Sequence, residues 1–116
     1  MEDYVKVILS GSTDGKQIKV VETATAGTLI HTAHATSRDE IWLWCVNSSA
    51  SPVKLTIEWG EATAPDGNIE KTIEPESGYE LIMPGLLLTN SLVVRAFASV
   101  ANVLLINGYV NRITTV

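Results

Sequence analysis

The most constraining feature of this sequence is a succession of short apolar and polar alternations, each closed by turn residues. In residues 53–59 every second residue is apolar, which places one face of a strand in a core and the other in solvent. The predicted core-facing residues are Val53, Leu55, Ile57 and Trp59, and the predicted solvent-facing residues are Lys54, Thr56 and Glu58. No segment shows helical periodicity with capping residues. The predicted strand runs are residues 4–10, 17–23, 28–33, 40–47, 53–59, 68–73, 79–83, 86–88, 91–98 and 103–113.

These runs amount to about eight or nine strands joined by short loops, without a strand–helix–strand pattern. They predict an all-β protein with a single antiparallel β-sandwich of jelly-roll or related Greek-key type. An immunoglobulin-like sandwich fits the strand count too, and the missing cysteine pair around a core tryptophan weighs little against it. Pro84 and Gly85 are expected to interrupt a strand, and Gly108 to mark a bulge or a close backbone contact. The length of 116 residues suits one domain, residues 1–116, with one hydrophobic core.

The run 40–47 is apolar on both faces, so it is expected to be a central strand covered on both sides. Trp42 and Trp44 share one face, which we interpret as packing in the core or under a subunit interface. The alternative is that exposed tryptophans stack on sugar rings, as in carbohydrate-binding modules. Trp59 is expected to be partly exposed at a strand end. Cys45, the single cysteine, is expected to be a small buried hydrophobe, which fits a reducing cytoplasm.

The charge content narrows the classes of partner. Eight basic and thirteen acidic residues give a net charge of -5, and the basic residues are scattered, which disfavours nucleic acid. No apolar run is long enough to span a membrane, and the acidic start is unlike a signal peptide. The charged fraction is 18%, below the usual value of about 25%. We interpret this as surface buried against another chain, with an uncharged Ser- and Thr-rich surface as the alternative.

No constellation of residues indicates catalysis, a cofactor or a metal. The only histidines, His31 and His34, would point to opposite faces of a strand, and the histidine motifs of a cupin are missing. The sequence contains the serines, histidines and aspartates of a Ser-His-Asp triad, but no nucleophile-elbow motif accompanies them, so a triad is not predicted. The acidic residues Glu58, Glu61 and Asp66 are interpreted as solvated surface rather than a glycosidase pair. The sequence therefore predicts a protein that is not an enzyme, with no catalytic, cofactor-binding or metal-binding residues.

Several segments of the sequence, taken together, resemble small proteins encoded by tailed bacteriophages. These segments are residues 39–43, 55–60, 84–86, 91–98 and 107–113. The resemblance covers most of the chain from Thr23 onward, and its motifs are packing patterns rather than catalytic signatures. It implies a virion structural protein of the capsid cement or decoration type, assembled in the host cytoplasm and located on the capsid surface. The implied partners are other copies of the chain, as a dimer or trimer, and the major capsid protein or another virion protein.

Two alternatives to a capsid position stay open: a neck, tail or head-fibre component, and a carbohydrate-binding module that binds surface glycans for host adhesion. Whichever holds, contacts are expected at the terminal residues 1–4 and 114–116, which are predicted to be free to lie along a neighbour. Contacts are also expected at the loop of residues 34–39, at one end of the sandwich. Leu86, Leu87 and Leu88 are predicted to pack either inward or across an interface. The predicted interface residues are Tyr4, His34, Arg38, Trp59, Leu86, Leu87 and Val116.

Overall fold

The structure is a computed structural model that describes residues 2–115. In that range it contains nine β-strands and no helix, which confirms the predicted all-β class. The described residues accordingly include no helix long and apolar enough to cross a membrane. The strands are β1 (Glu2–Val7), β2 (Ile18–Lys19), β3 (Thr28–Thr32), β4 (Arg38–Asn47), β5 (Val53–Trp59), β6 (Asn68–Ile73), β7 (Glu80–Leu88), β8 (Val93–Ala98) and β9 (Leu104–Thr115).

The strands form two antiparallel sheets that pack face to face. Sheet A has the order β1-β9-β4-β7, and β2 also pairs with β9. Sheet B has the order β3-β8-β5-β6. The prediction of an antiparallel β-sandwich is therefore confirmed.

The core lies between the sheets and is built from alternate residues of each strand. In β4 the inward residues Ile41, Leu43 and Cys45 are fully buried, whereas the outward residues Trp42 and Trp44 are partly exposed. This alternation is the period of two that a strand imposes on its side chains. The other strands contribute the aliphatic residues Ile30, Val53, Leu55, Ile57, Ile73, Met83, Val94, Leu104, Ile106 and Val110 to the same core.

Strand β7 is longer than the sequence predicts, because Pro84 and Gly85 do not interrupt it. The strand runs through both residues and pairs with β4, with two register shifts on the way. Proline is tolerated here because β7 lies at the edge of sheet A, where one row of backbone groups needs no partner strand. The predicted runs 79–83 and 86–88 are thus one strand, whereas the predicted run 17–23 shortens to the two residues of β2.

The simple alternation of faces breaks down in two strands of sheet B. In β3 a bulge between Leu29 and His31 turns both Ile30 and His31 inward, while Leu29 is exposed. In β5 the predicted solvent-facing residues Thr56 and Glu58 are buried. Glu58 accepts hydrogen bonds from the Gly27 amide (2.7 Å) and from the Thr25 hydroxyl, so the segment 23–27 covers it.

The terminal residues that the sequence predicts to be free arms are part of sheet A. Tyr4 lies in β1 opposite Ile113 of β9, and Asp3 lies opposite Thr114. Thr115 is likewise paired, with Glu2. Met1 and Val116 lie outside the described residues. The backbone groups of 2–4 and 114–115 are therefore already engaged within the chain.

Candidate functional site

The outer face of sheet A carries three aromatic side chains in one group. Trp42 and Trp44 project from β4, and Tyr109 projects from β9 directly opposite Trp42. The ring centroids are 6.1–6.4 Å apart and the ring planes are 16–25° from parallel. These distances are within the range in which offset aromatic pairs attract each other. Of the two interpretations of the tryptophans, packing in the core is wrong, because they lie on the outer face of the sandwich, and packing under a subunit interface stays a prediction.

Two neighbours fix the rings of this aromatic group. A Cβ atom on Gly85 would lie 2.7 Å from the Trp42 ring, so the missing side chain at Gly85 is what lets that ring lie against β7. The Lys6 ammonium lies 4.5 Å from the centroid of the Tyr109 ring, a cation–π contact from β1. The aromatic group is therefore supported from the strands on both sides of it.

A cleft of about 430 Å³ adjoins the aromatic group. It is lined by Gly15, Trp44, Tyr79, Asn107, Gly108 and Tyr109. Tyr79 precedes β7, and its hydroxyl donates a hydrogen bond to the Gln17 side chain, which precedes β2. The loops on either side of sheet A are thus joined by a hydrogen bond between two of their side chains, and Tyr79 contributes to the wall of the cleft.

Asn107 and Gly108 form the floor of the cleft, and their conformation is fixed by the chain itself. The Gly108 amide donates to Asn107 Oδ1 (2.8 Å), and Asn107 Nδ2 donates to the Gly15 carbonyl (3.3 Å). A Cβ atom on Gly108 would lie 1.9 Å from the Trp42 carbonyl oxygen. Of the two predictions for Gly108, the close backbone contact is therefore confirmed, while the pairing of β9 with β4 continues through it without a bulge.

The edge strand β7 is a second exposed feature of sheet A. Leu81, Leu86 and Leu87 are 46%, 49% and 51% exposed. No charged residue occurs between Leu81 and Leu88. In the described part of the chain β7 pairs only with β4, so its other side has no partner strand. Of the two placements predicted for Leu86, Leu87 and Leu88, burial in the core is correct for Leu88 and wrong for Leu86 and Leu87, whose place in an interface stays a prediction.

The two sheets are joined at one end by a buried polar network around Asp39. Its carboxylate accepts a hydrogen bond from His31 Nε2 (2.8 Å) and bonds from Arg112 Nε (2.8 Å) and Nη2 (3.0 Å). Burial acts to raise the pKa of Asp39, but the bonds from Arg112 and His31 outweigh it and hold that pKa below its usual range. Burial lowers the pKa of His31, against the pull of Asp39.

Both ring nitrogens of His31 are occupied in this network. Nδ1 accepts the Ser10 amide (3.0 Å) while Nε2 faces Asp39, which fixes the neutral tautomer with its proton on Nε2. The side chain is 1% exposed. The hydroxyl of Ser10 accepts a hydrogen bond from the Thr32 amide and is not aimed at the imidazole ring. His31 therefore joins the sheets and is closed to substrate in this arrangement.

His34 shapes the loop that leads into β4. Its Nδ1 accepts the Thr36 and Ser37 amides, and its own amide donates to Asp39. The ring thus closes a tight turn beside the buried network. Across the described residues 2–115, no group of three or more His, Cys, Asp and Glu side chains is placed to hold a metal ion.

Two further predictions concern single side chains. Cys45 is buried as predicted, and burial together with the charge of Glu80 raises the pKa of its thiol to about 12. Trp59 is partly exposed as predicted and packs against the core. Glu61 and Asp66 are exposed as predicted, whereas Glu58 of the same set is the buried carboxylate described above.

The predicted interface residues do not come together on one surface. Tyr4 and the pair Leu86–Leu87 lie at opposite edges of sheet A, and Trp59 lies at the end of β5 in sheet B. His34 and Arg38 lie at the entrance to β4, where Arg38 donates to the Thr115 hydroxyl (3.2 Å). Val116 lies outside the described residues. An interface of one contiguous patch would therefore use only part of this set.

Four residues that line the cleft were not predicted to be site residues: Gly15, Tyr79, Asn107 and Tyr109. Asn107 and Tyr109 could have been predicted to share a face, because they are two residues apart in a long strand. No local pattern predicts the positions of Tyr79 and Gly15, since loops far apart in the sequence bring them to the cleft.

Comparison with protein-family models, with curated proteins and with solved structures found no match to this chain.

Proposed function

We propose that this protein is a non-enzymatic structural component of a tailed-phage virion, specifically a capsid cement or decoration protein. It would bind the outer capsid shell and stabilise it through contacts with further copies of itself and with the capsid. The observation that carries the proposal is the exposed edge strand β7, which has no charged residue from Leu81 to Leu88. The resemblance of the sequence to small phage proteins gives the context, and the fold and the edge give the mechanism.

The order of the strands supports a jelly roll, the fold type expected for such a protein. Both β1 and β2 pair with β9, so they can be counted as one interrupted strand. The eight strands counted in this way have the order 1-8-3-6 in sheet A and 2-7-4-5 in sheet B. This is the strand order of a double-sheet jelly roll, an architecture shared by viral capsid domains. The proposal therefore specifies a jelly-roll sandwich.

A comparison of two edge strands supports the use of β7 as an interface. The edge strand of sheet B, β6, carries Glu70 and Lys71, which pair with Lys54 (2.7 Å) and Glu80 (3.8 Å). Charges of this kind keep a sheet edge from pairing with another chain. Strand β7 has no charge from Leu81 to Leu88, and Pro84 is its main protection against pairing. An edge that carries so few charges fits a surface that is covered in the assembled state.

The physical action of a cement protein follows from such a surface. Two copies related by a two-fold axis would bring the same leucines together, so one patch serves both partners. A standard interface buries about 1,600 Å² in total. Contacts repeated over a whole shell reinforce each other, because each bound copy raises the effective concentration of the next contact. Separating the capsid subunits would then expose this additional apolar surface.

Light scattering over a range of protein concentrations tests the self-association. We expect a closed dimer or trimer for the native chain and a folded monomer for Leu87→Asp. The matched control is Val100→Asp, which places the same charge at an exposed residue (47%) in the loop between β8 and β9. Far-ultraviolet circular dichroism establishes that each variant is folded. A native chain that stays monomeric at every concentration removes self-association from the proposal.

The position in the virion is tested by quantitative mass spectrometry of purified particles of the phage that encodes the chain. A copy number comparable with that of the major capsid protein is expected for a cement or decoration protein. A few copies per particle would instead place the chain in the neck, the tail or a head fibre. Its complete absence from the particles would overturn the virion role.

A further inference from the structure

We propose that the cleft beside Trp44 binds a neutral saccharide. The inference does not depend on the virion role, because residues of a single chain form the whole cleft. Its volume of about 430 Å³ lies within the usual range of small-ligand sites, roughly 300–1,000 Å³. Such sites are mostly aromatic, with a few polar groups that fix the orientation of the ligand.

The side chains that line the cleft match the two kinds of surface that a sugar ring presents. Trp44, Tyr79 and Tyr109 offer aromatic faces, which can stack on the C–H face of a pyranose ring. Asn107 offers an amide, which can pair with ring hydroxyls. None of the six lining residues is charged and none is aliphatic, although Leu81 lies only two residues from Tyr79. This composition favours an uncharged ligand that is itself both apolar and hydroxyl-rich.

The polar groups of the cleft keep unused hydrogen-bonding capacity. Asn107 Oδ1 accepts one bond, from the Gly108 amide, and an amide oxygen can accept two. The Tyr79 hydroxyl donates its proton to Gln17 and can still accept a bond. The Trp44 indole N–H has no partner among residues 2–115, whereas the indole of Trp42 donates to Glu40 (3.4 Å). The residues that line the cleft thus retain one donor and two acceptors for a ligand.

The cleft is also ordered before any ligand binds. Asn107 is held by Gly15 and Gly108, Tyr79 is held by Gln17, and Tyr109 is held by Lys6. A ligand therefore does not have to immobilise these side chains, which lowers the entropic cost of binding.

A proline-rich peptide is the main competing occupant, since such peptides also bind aromatic grooves. The cleft favours a saccharide over it, because its floor, Asn107 and Gly108, is an amide and a glycine without an apolar side chain to contact a proline ring.

The experiment is a calorimetric titration of the full chain with neutral hexaoses of glucose (α- and β-linked), mannose, xylose and N-acetylglucosamine, up to about 5 mM. A decaproline peptide is titrated in parallel. We expect saturable binding of at least one hexaose, and we expect Tyr79→Ala and Trp44→Ala each to weaken it by about tenfold or more. Tyr79→Phe should weaken it less than Tyr79→Ala, because it keeps the ring and loses only the hydroxyl.

Leu29→Ala is the control for Tyr79→Ala. It truncates an exposed residue of sheet B, outside the cleft, and should leave the affinity unchanged within about twofold. If Trp44→Ala does not fold, Trp44→Phe and the Tyr79 pair of variants decide the question. The proposal is overturned if no hexaose binds, if binding is the same in Tyr79→Ala as in the native chain, or if only decaproline binds.

Discussion

Replacing Asp39 with asparagine measures how strongly the buried network joins the two sheets. The carboxylate is fully buried and receives four donors: His31 Nε2, the His34 amide, and Nε and Nη2 of Arg112. Asparagine keeps the shape but replaces one acceptor oxygen with an NH2 group. With its oxygen in the place of Oδ2, which serves three of the donors, the NH2 group and Arg112 Nε face each other as two donors without a partner. Each buried donor without a partner costs about 1–3 kcal/mol. The Arg112 side chain also loses its counter-charge, although it is 25% exposed and regains some hydration.

We therefore expect Asp39→Asn to lower the free energy of unfolding by about 3 kcal/mol, at the low end of the roughly 3–5 kcal/mol seen for broken buried ion pairs. That is a large share of the roughly 5–15 kcal/mol that stabilises a domain. In a urea titration, an m-value of about 1.5 kcal/mol/M turns this loss into a midpoint that falls by about 2 M.

The matched control is Glu70→Gln, the same acid-to-amide change in an ion pair of similar length whose side chains are about half exposed. It should cost less than about 0.5 kcal/mol, because exposed pairs are hydrated and screened. If Asp39→Asn costs no more than Glu70→Gln, the network does not stabilise the sandwich in the way described.

Three further predictions concern single residues. Below its ordinary pKa of 6.5, His31 binds fewer protons in the folded than in the unfolded chain, so the free energy of unfolding should fall as the pH drops from 6.5. His31→Gln should make the free energy of unfolding depend less on pH in urea titrations between pH 4.5 and 7.5. An unchanged pH dependence would show that His31 does not cause it. Gly108→Ala should destabilise the chain by more than about 3 kcal/mol, because its Cβ meets a carbonyl oxygen at 1.9 Å, whereas Gly78→Ala meets no atom within 4 Å and should cost about 1 kcal/mol. Equal thermal unfolding midpoints for the two alanine variants would show that a side chain at position 108 meets no such steric clash. The thiol of Cys45, buried and with its pKa raised to about 12, should react with a disulfide reagent only after denaturation, and rapid labelling of the native chain would show that it is accessible.

The strands whose signals are local could be predicted from the sequence. The bounds of β5 and β6 agree with the prediction to the residue. In β5 the apolar and polar residues alternate and turn residues bound both ends, so no distant contact is needed to define it. The existence of β4 was predictable from its apolar run, but which face lies inward was not, because both faces are apolar.

The predictions that were wrong concern residues whose surroundings are formed by distant parts of the chain. Glu58 looks like a solvated residue of an alternating strand, and only the segment 23–27, which covers it, makes it buried. Pro84 looks like a strand breaker, and only its place at the sheet edge makes it acceptable in β7. The candidate site could be predicted only in part, for the same reason. Trp44 stood out in the sequence, but Tyr79 and Asn107 reach it through the pairing of β7 and β9 with β4.

The central position of β9 determines when the sandwich can form during synthesis. This strand pairs with β1, β2 and β4, yet it is made after all three. Sheet A cannot close until residues 104–115 have emerged from the ribosome, and sheet B likewise waits for β8 to join β3 to β5. Such non-local pairing folds slowly, typically in milliseconds to seconds. The growing chain therefore carries β4, which is apolar on both faces, with one side unpaired until the last strand arrives, and its surroundings must keep that strand from aggregating until then.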